Sequence, residues 1–264
     1  FGYSNIKMYI ENKFRTPKTF EDLVYVSQLM QADAIKTAIE AHQRNMPNTM
    51  GTMFWQWNDC WPVVSWSAVD YFGRRKALFY ETKRSYSHYL LSVPITDSPE
   101  LKLTFVSDKD ESFTALLEAE AFDFSGKRLS SWEKSPVFRV EKGRPVIMEH
   151  PKVFIFQHDF EDCYWVFRVK RKNEVLAEAL YFFVPPKELN LPVPKISWKL
   201  LSGNQLELSS NKFAYGVYID VPDGVELADN YFHLLPNLKK IIKFSSSVPP
   251  ETLKKNIRIK SLAD

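Results

Sequence analysis

Between Phe20 and Asn45 the apolar positions are Leu23, Val24, Val26, Leu29, Met30, Ala34, Ile35, Ala38 and Ile39. That spacing of three and four predicts an amphipathic helix, with Lys36, Glu40, Gln43 and Arg44 off the apolar face. Thr19 is placed to cap it, and Glu21 and Asp22 fall in the first turn, where the helix dipole favours acids. Asn45-Met46-Pro47-Asn48 ends it, because the residue before a proline is pushed out of helical conformation. Thr49–Trp57 is apolar on both faces and reads as a fully buried strand. After a loop through Pro62, the helical pattern returns over Phe72–Leu91 at Arg75, Lys76, Leu78, Phe79, Thr82, Lys83, Tyr86 and Tyr89. Residues 5–15 alternate weakly around Ile6, Met8, Tyr9 and Ile10, a pattern open to a short helix or a loop. Helix, strand, loop and helix is the rhythm of an α/β protein.

The pattern changes after Pro94. Apolar segments at Leu101–Val106, Ala115–Phe124, Arg128–Trp132, Val137–Val140, Val153–Phe156, Tyr164–Val169 and Val175–Phe183 are separated by turn residues such as Ser125-Gly126-Lys127. This predicts an Ig-sized β-sandwich. A proline-rich joint follows over Val184–Pro194. A second β unit then runs through Ile196–Leu201, Gln205–Ser210, Phe213–Val221, Tyr231–Leu234, Lys239–Ser245 and Ile257–Ser261. The expected division is 1–92, 93–186 and 187–264.

Composition narrows the function classes. Lys and Arg number 35 against 32 Asp and Glu in 264 residues, a net charge of +3 that is too mild and too evenly spread to argue for nucleic acid. No apolar run approaches the roughly 18–20 residues of a membrane span. The chain opens on Phe1-Gly2-Tyr3-Ser4-Asn5, with neither an initiator Met nor a targeting pattern, and is read as part of a longer polypeptide. Cys60 and Cys163 form neither a metal-ligand spacing nor a disulfide framework, and both are expected to be buried thiols. His42, His88, His150, His158 and His233 show no ligand spacing either. Trp132, Trp165 and Trp198 read as sandwich-core anchors.

Chemistry concentrates in Gly51–Gly73, where Trp55, Trp57, Trp61 and Trp66, four of the seven tryptophans, stand among methionines, Gln56 and the Asn58-Asp59 pair. Large flat rings beside an amide and a carboxylate suit a surface that stacks on one face of a polar ligand and bonds its edge, and sugars are ligands of that kind. The readings that compete with this are residue-specific. Any of the tryptophans could be core, Trp57 in particular. Asn58 and Asp59 could cap a turn, Trp61 and Trp66 could seat the loop against a neighbouring domain, and Asp70 could pair with Arg74 or Arg75 as surface charge.

The wording G-T-M-F-W-Q-W-N-D at 51–59, followed by Trp61-Pro62, Ser65-Trp66-Ser67 and Asp70-Tyr71, resembles the end of the catalytic barrel in glycoside hydrolase family 2, its β-mannosidase branch above all. Arg75-Lys76, Tyr80 and Lys83, and Gln28-Leu29-Met30-Gln31-Ala32 upstream, fit that branch. Tyr181–Glu188 is similar to the aromatic-P-K-E end of the family's fourth domain, and Asp229-Asn230-Tyr231-Phe232 to a stretch of its last domain. The resemblance covers essentially the whole chain. It implies a multidomain α/β + all-β fold: a partial (β/α)8 barrel, made of the last strand and its flanking helices, followed by two Ig-like β-sandwich domains. It places Trp55, Trp57 and Asn58 at the C-terminal end of the eighth strand, the end at which barrel active sites lie. It further implies that Trp55 is the sugar-stacking platform, with a non-proline cis peptide to Gln56, and that Trp57, Asn58, Asp59 and Trp61 complete the substrate-binding set.

Retaining glycosidases use two carboxylates about 5–5.5 Å apart. The family's two glutamate motifs, N-E and S-E-[FY]-G, are absent, and Glu11, Glu21, Glu40 and Glu81 match neither. The resemblance therefore implies the C-terminal part of a retaining exo-β-mannosidase, inactive alone, with no metal or organic cofactor and with a β-mannoside glycan and the rest of the parent chain as partners. An isolated eighth strand would have unpaired edges and would favour dimerisation, misassembly or disorder. Compartment stays open: periplasmic or secreted for a bacterial parent, lysosomal for an animal one. The alternatives are another family 2 glycosidase, a β-galactosidase or β-glucuronidase, or a non-catalytic carbohydrate-binding or adhesion module.

Overall fold

The computed structural model describes residues 2–95, 100–131, 136–151 and 159–263. Trp132, the strand expected at Val153–Phe156, and His158 lie outside the described residues. The chain divides into two compact units, Phe1–Asp123 with Arg128–Leu189, and Phe124–Lys127 with Asn190–Asp264.

The first unit opens with three helices, α1 (Gly2–Lys13), α2 (Phe20–Arg44) and α3 (Ala77–Ser85). The undecided N-terminal stretch is thus a helix, anchored by the buried Ile10 and, just beyond it, Phe14. The cap of α2 is as expected: Thr19 Oγ1 accepts the Asp22 N–H at 3.1 Å. Tyr25, Val26, Leu29, Ala32 and Ile39 form the buried stripe of α2, against which α1 and α3 pack.

Two expectations fail in this region. Residues 49–57 form no strand; they run as irregular backbone, and the nearest ladder contact is an isolated parallel bridge just after them, Asn58 to Val69. A buried parallel strand needs a ladder on each side, and none of the described strands lies beside this segment. The helix expected over Phe72–Leu91 shrinks to Ala77–Ser85. Before it, Gly73 takes φ +80 in a turn closed by its N–H to the Asp70 carbonyl (3.0 Å), a conformation that glycine adopts without a Cβ clash. After it, Tyr89–Ser92 leaves the helix to become the strand β1, because three of its four side chains are buried and the pattern of contacts no longer follows one helical face.

β1 pairs antiparallel with β2 (Glu100–Ser107), whose next residues in the chain are β3 (Phe113–Asp123), β4 (Arg128–Ser131), β5 (Val137–Val140), β6 (Val146–Pro151), β7 (Cys163–Arg171) and β8 (Glu174–Tyr181). One sheet runs β1-β2-β6; the other runs β4-β3-β7-β8, with β5 also on β3. The inward residues of the two sheets, Leu101, Leu103 and Phe105 on β2, Leu117 and Ala119 on β3, and Trp165, Phe167 and Val169 on β7, share one core. That alternation makes the unit's β part a sandwich. Trp165 is the core anchor that its sequence context predicts. β1 and β6 were not legible as strands. The segment after β8 returns to the helices: Arg15 donates to the Lys187 and Leu189 carbonyls (3.0 and 3.1 Å), and the Lys187 N–H to the Lys13 carbonyl (3.0 Å). The aromatic-P-K-E motif thereby acquires a structural use.

The second unit is a smaller sandwich. Its strands are β9 (Ile196–Leu201), β10 (Gln205–Ser210), β11 (Ala214–Asp220), β12 (Val225–Leu227), β13 (Phe232–Leu234), β14 (Lys239–Ser246) and, after the short helix α4 (Pro250–Asn256), β15 (Arg258–Lys260). The sheets run β12-β14-β10-β9 and β13-β11-β15 around Leu206, Leu208, Val217, Ile219 and Ile242, with Trp198 packed against that core. Asn230 of the D-N-Y-F stretch is buried: its Oδ1 accepts the N–H groups of Ile219 and Tyr231 (2.8 and 2.9 Å) and its Nδ2 donates to the Ile219 carbonyl (2.9 Å). The motif residue is a bridge onto β11. β12 and α4 had no expectation attached to them.

Candidate functional site: the tryptophan loop

The loop between α2 and α3 carries its aromatic rings outward. Trp55 is 75% exposed and Met53 99%, and Trp57, Trp61 and Trp66 are each more than half exposed. The expectation of a buried strand is corrected here at the level of side chains too: these rings have no second layer over them among the described residues. The Trp57 ring meets that of Phe79 of α3 at 5.5 Å and 54°, and Arg75 lies over the Phe79 ring, 4.8 Å from its centroid. The Trp55–Gln56 peptide is cis. Asn58 is exposed, its Nδ2 donating to the Asp59 carbonyl at 3.2 Å.

The loop's underside is as ordered as its rings are exposed. The Trp57 carbonyl accepts the N–H groups of Ala68 (3.0 Å) and Val69 (2.9 Å), the Gln56 carbonyl also accepts from Ala68 (3.0 Å), and the Val69 carbonyl accepts from Asp59 (3.1 Å). Ser67 and Ala68 are fully buried at this crossing. From α2, Gln31 Nε2 donates to the Trp66 carbonyl at 2.8 Å, and Gln28 Oε1 accepts the Ala77 N–H at 3.1 Å, so the N-terminus of α3 is capped from a neighbouring helix rather than by Lys76. Asp70 accepts the N–H groups of Phe72 and Arg74, both at 2.9 Å; its carboxylate shapes the turn, a role beyond the surface pairing considered for it.

Asp59 faces inward. Its side chain is 2% exposed, with Oδ1 accepting from Ser65 Oγ at 2.6 Å and Oδ2 from Ser67 Oγ at 2.7 Å and Lys76 Nζ at 3.3 Å. Burial pushes a carboxyl pKa up; here the hydrogen bonds from Ser65 and Ser67 and the charge of Lys76 outweigh it and hold the Asp59 pKa below the usual carboxylate value. Of the five residues proposed from sequence to bind substrate, Trp55, Trp57, Asn58 and Trp61 stand at the surface and Asp59 beneath it. Ser65, Ser67, Lys76 and Gln31 are the supporting residues that the substrate-binding set omitted. The signal for the serines was present in the alternation Ser65-Trp66-Ser67, which in extended backbone sends the ring one way and both hydroxyls the other. Cys60, expected to be buried, is exposed: the turn that brings Asp59 inward faces its neighbour out. Cys163 is buried as expected, and burial raises its thiol to about 11. A cavity of about 190 Å³ lies at the start of the same segment, lined by His42, Thr52, Tyr86, His88 and Asp108 among others, and none of the four tryptophans lines it.

The remaining glutamates near the helices are engaged elsewhere. Glu40 is buried and accepts from Ser92 Oγ at 2.5 Å, with Lys36 and Arg44 at 3.8 and 3.9 Å. Glu81 pairs with Arg84 at 2.7 Å, and Glu11 lies 3.7 Å from Lys7.

Comparison with known proteins fits this arrangement. The sequence profile of the mannosidase Ig/CBM-like domain matches residues 100–188, and that of the mannosidase Ig-fold domain matches residues 191–264. The β-D-mannosidase of Dictyoglomus thermophilum superimposes with a TM-score of 0.85 at 27% identity, over 98% of this chain and 32% of that one. Residues 100–188 and 191–264 belong to the mannosidase Ig-like domain families, and the chain as a whole matches a C-terminal portion of glycoside hydrolase family 2 β-mannosidases. The β-mannosidase of Capra hircus is 31% identical over 160 residues, 56% of this chain and 18% of that protein. The β-mannosidase B of Thermothelomyces thermophilus is 39% identical over 80 residues, 28% of this chain and 9% of that protein. The chain therefore spans less than a fifth of the length of these curated relatives. The exo-chitosanase of Amycolatopsis orientalis, at 14% identity and a TM-score of 0.70 over 97% of this chain and 35% of that one, shares the fold.

Proposed function

We propose that this chain supplies one wall of the sugar pocket of a retaining exo-β-mannosidase, with Trp55 as the ring on which the terminal mannose stacks. The observation that carries the reading is a set of exposed indoles held on a rigidly bonded loop: Trp55 is 75% exposed while the backbone beside it is tied at Gln56 and Trp57. An exposed ring on a fixed support stacks on a sugar face at low entropic cost. On this reading α2, the segment 49–57 and α3 form the closing part of a (β/α)8 barrel, with the loop at its catalytic end. The two sandwiches are the Ig-like domains that follow it.

Hydrolysis with retention needs an acid/base at the glycosidic oxygen and a nucleophile on the opposite face of the anomeric carbon, the two flanking the scissile bond. Glu11, Glu40 and Glu81 are committed to Lys7, to the Lys36–Arg44–Ser92 group and to Arg84, and none of these contacts involves the loop; Glu21 lies in the first turn of α2. The chain thus binds and orients sugar, and the catalytic carboxylates belong to other parts of the parent enzyme.

Titrating the chain with methyl β-D-mannopyranoside while following tryptophan fluorescence tests this. Quenching that saturates in the wild type and weakens about tenfold in Trp55→Ala supports the stacking role, since about 1.4 kcal/mol of lost contact is tenfold in affinity. Equal affinity of the two proteins overturns it. Release of p-nitrophenol from its β-mannoside by the chain alone would overturn the assignment of the catalytic groups elsewhere.

A further inference from the structure

Four exposed indoles on a loop without a sheet ladder need something to hold their relative aim, and the loop's backbone–backbone bonds tie the crossing at 56–59 and 68–69 and the exit over 68–76 but none of residues 60–66. The stretch from Cys60 to Trp66, which carries Trp61 and Trp66, is held from within by side chains. One carboxylate collects both serine hydroxyls: Ser65 Oγ to Asp59 Oδ1 at 2.6 Å and Ser67 Oγ to Asp59 Oδ2 at 2.7 Å. One ammonium then spans the same three groups, Lys76 Nζ lying 2.8 Å from Ser67 Oγ, 3.4 Å from Ser65 Oγ and 3.3 Å from Asp59 Oδ2. Ser65 and Ser67 flank Trp66, so drawing both hydroxyls inward fixes the outward direction of the ring between them. Lys76 is the residue before α3, and its N–H bonds the Ala68 carbonyl at 2.9 Å. The cluster therefore connects the loop to α3 by both the backbone and the side chain of one residue.

We propose that Asp59 and Lys76 are positioning residues for the sugar platform: together with Ser65 and Ser67 they lock the 59–67 loop so that Trp61 and Trp66 keep a fixed aim relative to Trp55. The proposal rests on the reading that Trp55 stacks on sugar. A buried ion pair of this kind contributes little net stability compared with an apolar substitute, because desolvation offsets its attraction; its established use is to specify one arrangement among several. A loop whose outer face is all large rings has many alternative packings, and burying an ion pair at its centre excludes those in which either charge would be left alone. Positioning is also what the distribution of partners indicates: among the described residues the Asp59 carboxylate bonds Ser65, Ser67 and Lys76, all in this loop or its exit, and none in the sandwich.

The test uses the full chain labelled with 5-fluorotryptophan, each resonance assigned by a single Trp→Phe substitution. Lys76→Met and Asp59→Asn are compared with Lys76→Arg, which keeps the charge and can reach the same oxygens. The expected result is that Lys76→Met and Asp59→Asn move or broaden the resonances of Trp55, Trp61 and Trp66, leave those of Trp165 and Trp198 in place, and weaken binding of methyl β-D-mannopyranoside about three- to tenfold. Lys76→Arg restores both readouts to within about twofold of the wild type. A role in stability alone would lower the melting temperature while leaving the folded-state resonances and affinity unchanged, and that outcome overturns the proposal. So does a loss of affinity that Lys76→Arg fails to rescue. Trp55→Ala separates the two readings. If that variant binds the mannoside normally, the stacking role is wrong, and the positions of the loop resonances in Lys76→Met still decide whether Lys76 positions the loop.

Discussion

The first sandwich and the tryptophan loop belong to one compact unit, are both rich in aromatic residues, and use them in opposite ways. On β7, Trp165 and Phe167 are buried and stack at 5.8 Å with their planes 12° apart. On the loop, Trp55, Trp57, Trp61 and Trp66 are exposed. The polar groups invert with them. In the sandwich the charges lie outside, as in the row Arg128–Glu120–Arg168–Glu178 across four strands. In the loop the charged pair is inside and the rings are outside. Residue type alone does not decide burial. The strand ladder fixes which face each aromatic takes, and where no ladder exists a buried polar cluster can do the same for a loop. The comparison teaches that the sandwich is where stability resides and that the loop is where binding would reside.

The strongest way to break that contrast is to truncate the sandwich core. Phe167 is fully buried and pairs across the sheet with Ala119 on one side and Ala179 on the other. Those small neighbours cannot fill the space it leaves, so Phe167→Ala is expected to cost about 3–5 kcal/mol, at the upper end for a core aromatic. Urea denaturation followed by far-ultraviolet circular dichroism measures it. A cost below about 1 kcal/mol would mean that this sheet does not carry the unit's stability.

An intermediate effect is expected from acid. The Asp59 pKa is lowered on folding, so the unfolded chain binds its proton at a higher pH than the folded chain does. The stabilisation from this group is accordingly complete above the ordinary aspartate value of about 3.9 and is lost as pH falls through the lower folded value. Asp59→Asn removes the titration and leaves Lys76 without its anion, at a cost of roughly 1–3 kcal/mol near neutrality. The stability gap between wild type and Asp59→Asn should be level from about pH 7 down to about pH 5 and then close on further acidification. A gap that is unchanged at about pH 3 would show that the carboxylate is not the group that holds the loop.

How much of this was legible in the sequence follows the same division. Elements with a local signal were read almost to the residue: Thr19 as the cap of α2, Val137–Val140 as β5, Ile196–Leu201 as β9 and Gln205–Ser210 as β10. Strands such as β1 and β6 were missed because their burial comes from pairing with β2, a non-local fact that alternation within a few residues does not carry. Residues 49–57 were misread for the converse reason: an apolar run on both faces is the local mark of a buried strand, and that mark is silent about whether partner strands are present. The rings of the site were legible as chemistry. Their support was legible only as the alternation Ser65-Trp66-Ser67; that both hydroxyls and Lys76 converge on Asp59 is a non-local fact that the fold alone supplies.

The smallest expected effect on stability is the most informative about function. Trp55 is the most exposed of the loop's four tryptophans, at 75%, and truncating a ring that is already in water removes little transfer energy. Trp55→Ala should therefore change unfolding free energy by no more than about 0.5 kcal/mol, as surface substitutions usually do. A ring this large left in water is itself unfavourable, and removing one is, if anything, neutral to the folded chain. If the melt instead falls by an amount comparable with Phe167→Ala, then Trp55 is covered in solution by another part of the chain or by a second copy. Sedimentation at two concentrations tells these apart, because only covering by a second copy depends on concentration. An unchanged melt together with a lost mannoside response would place the residue's role in contact with the ligand and outside the stability of the fold.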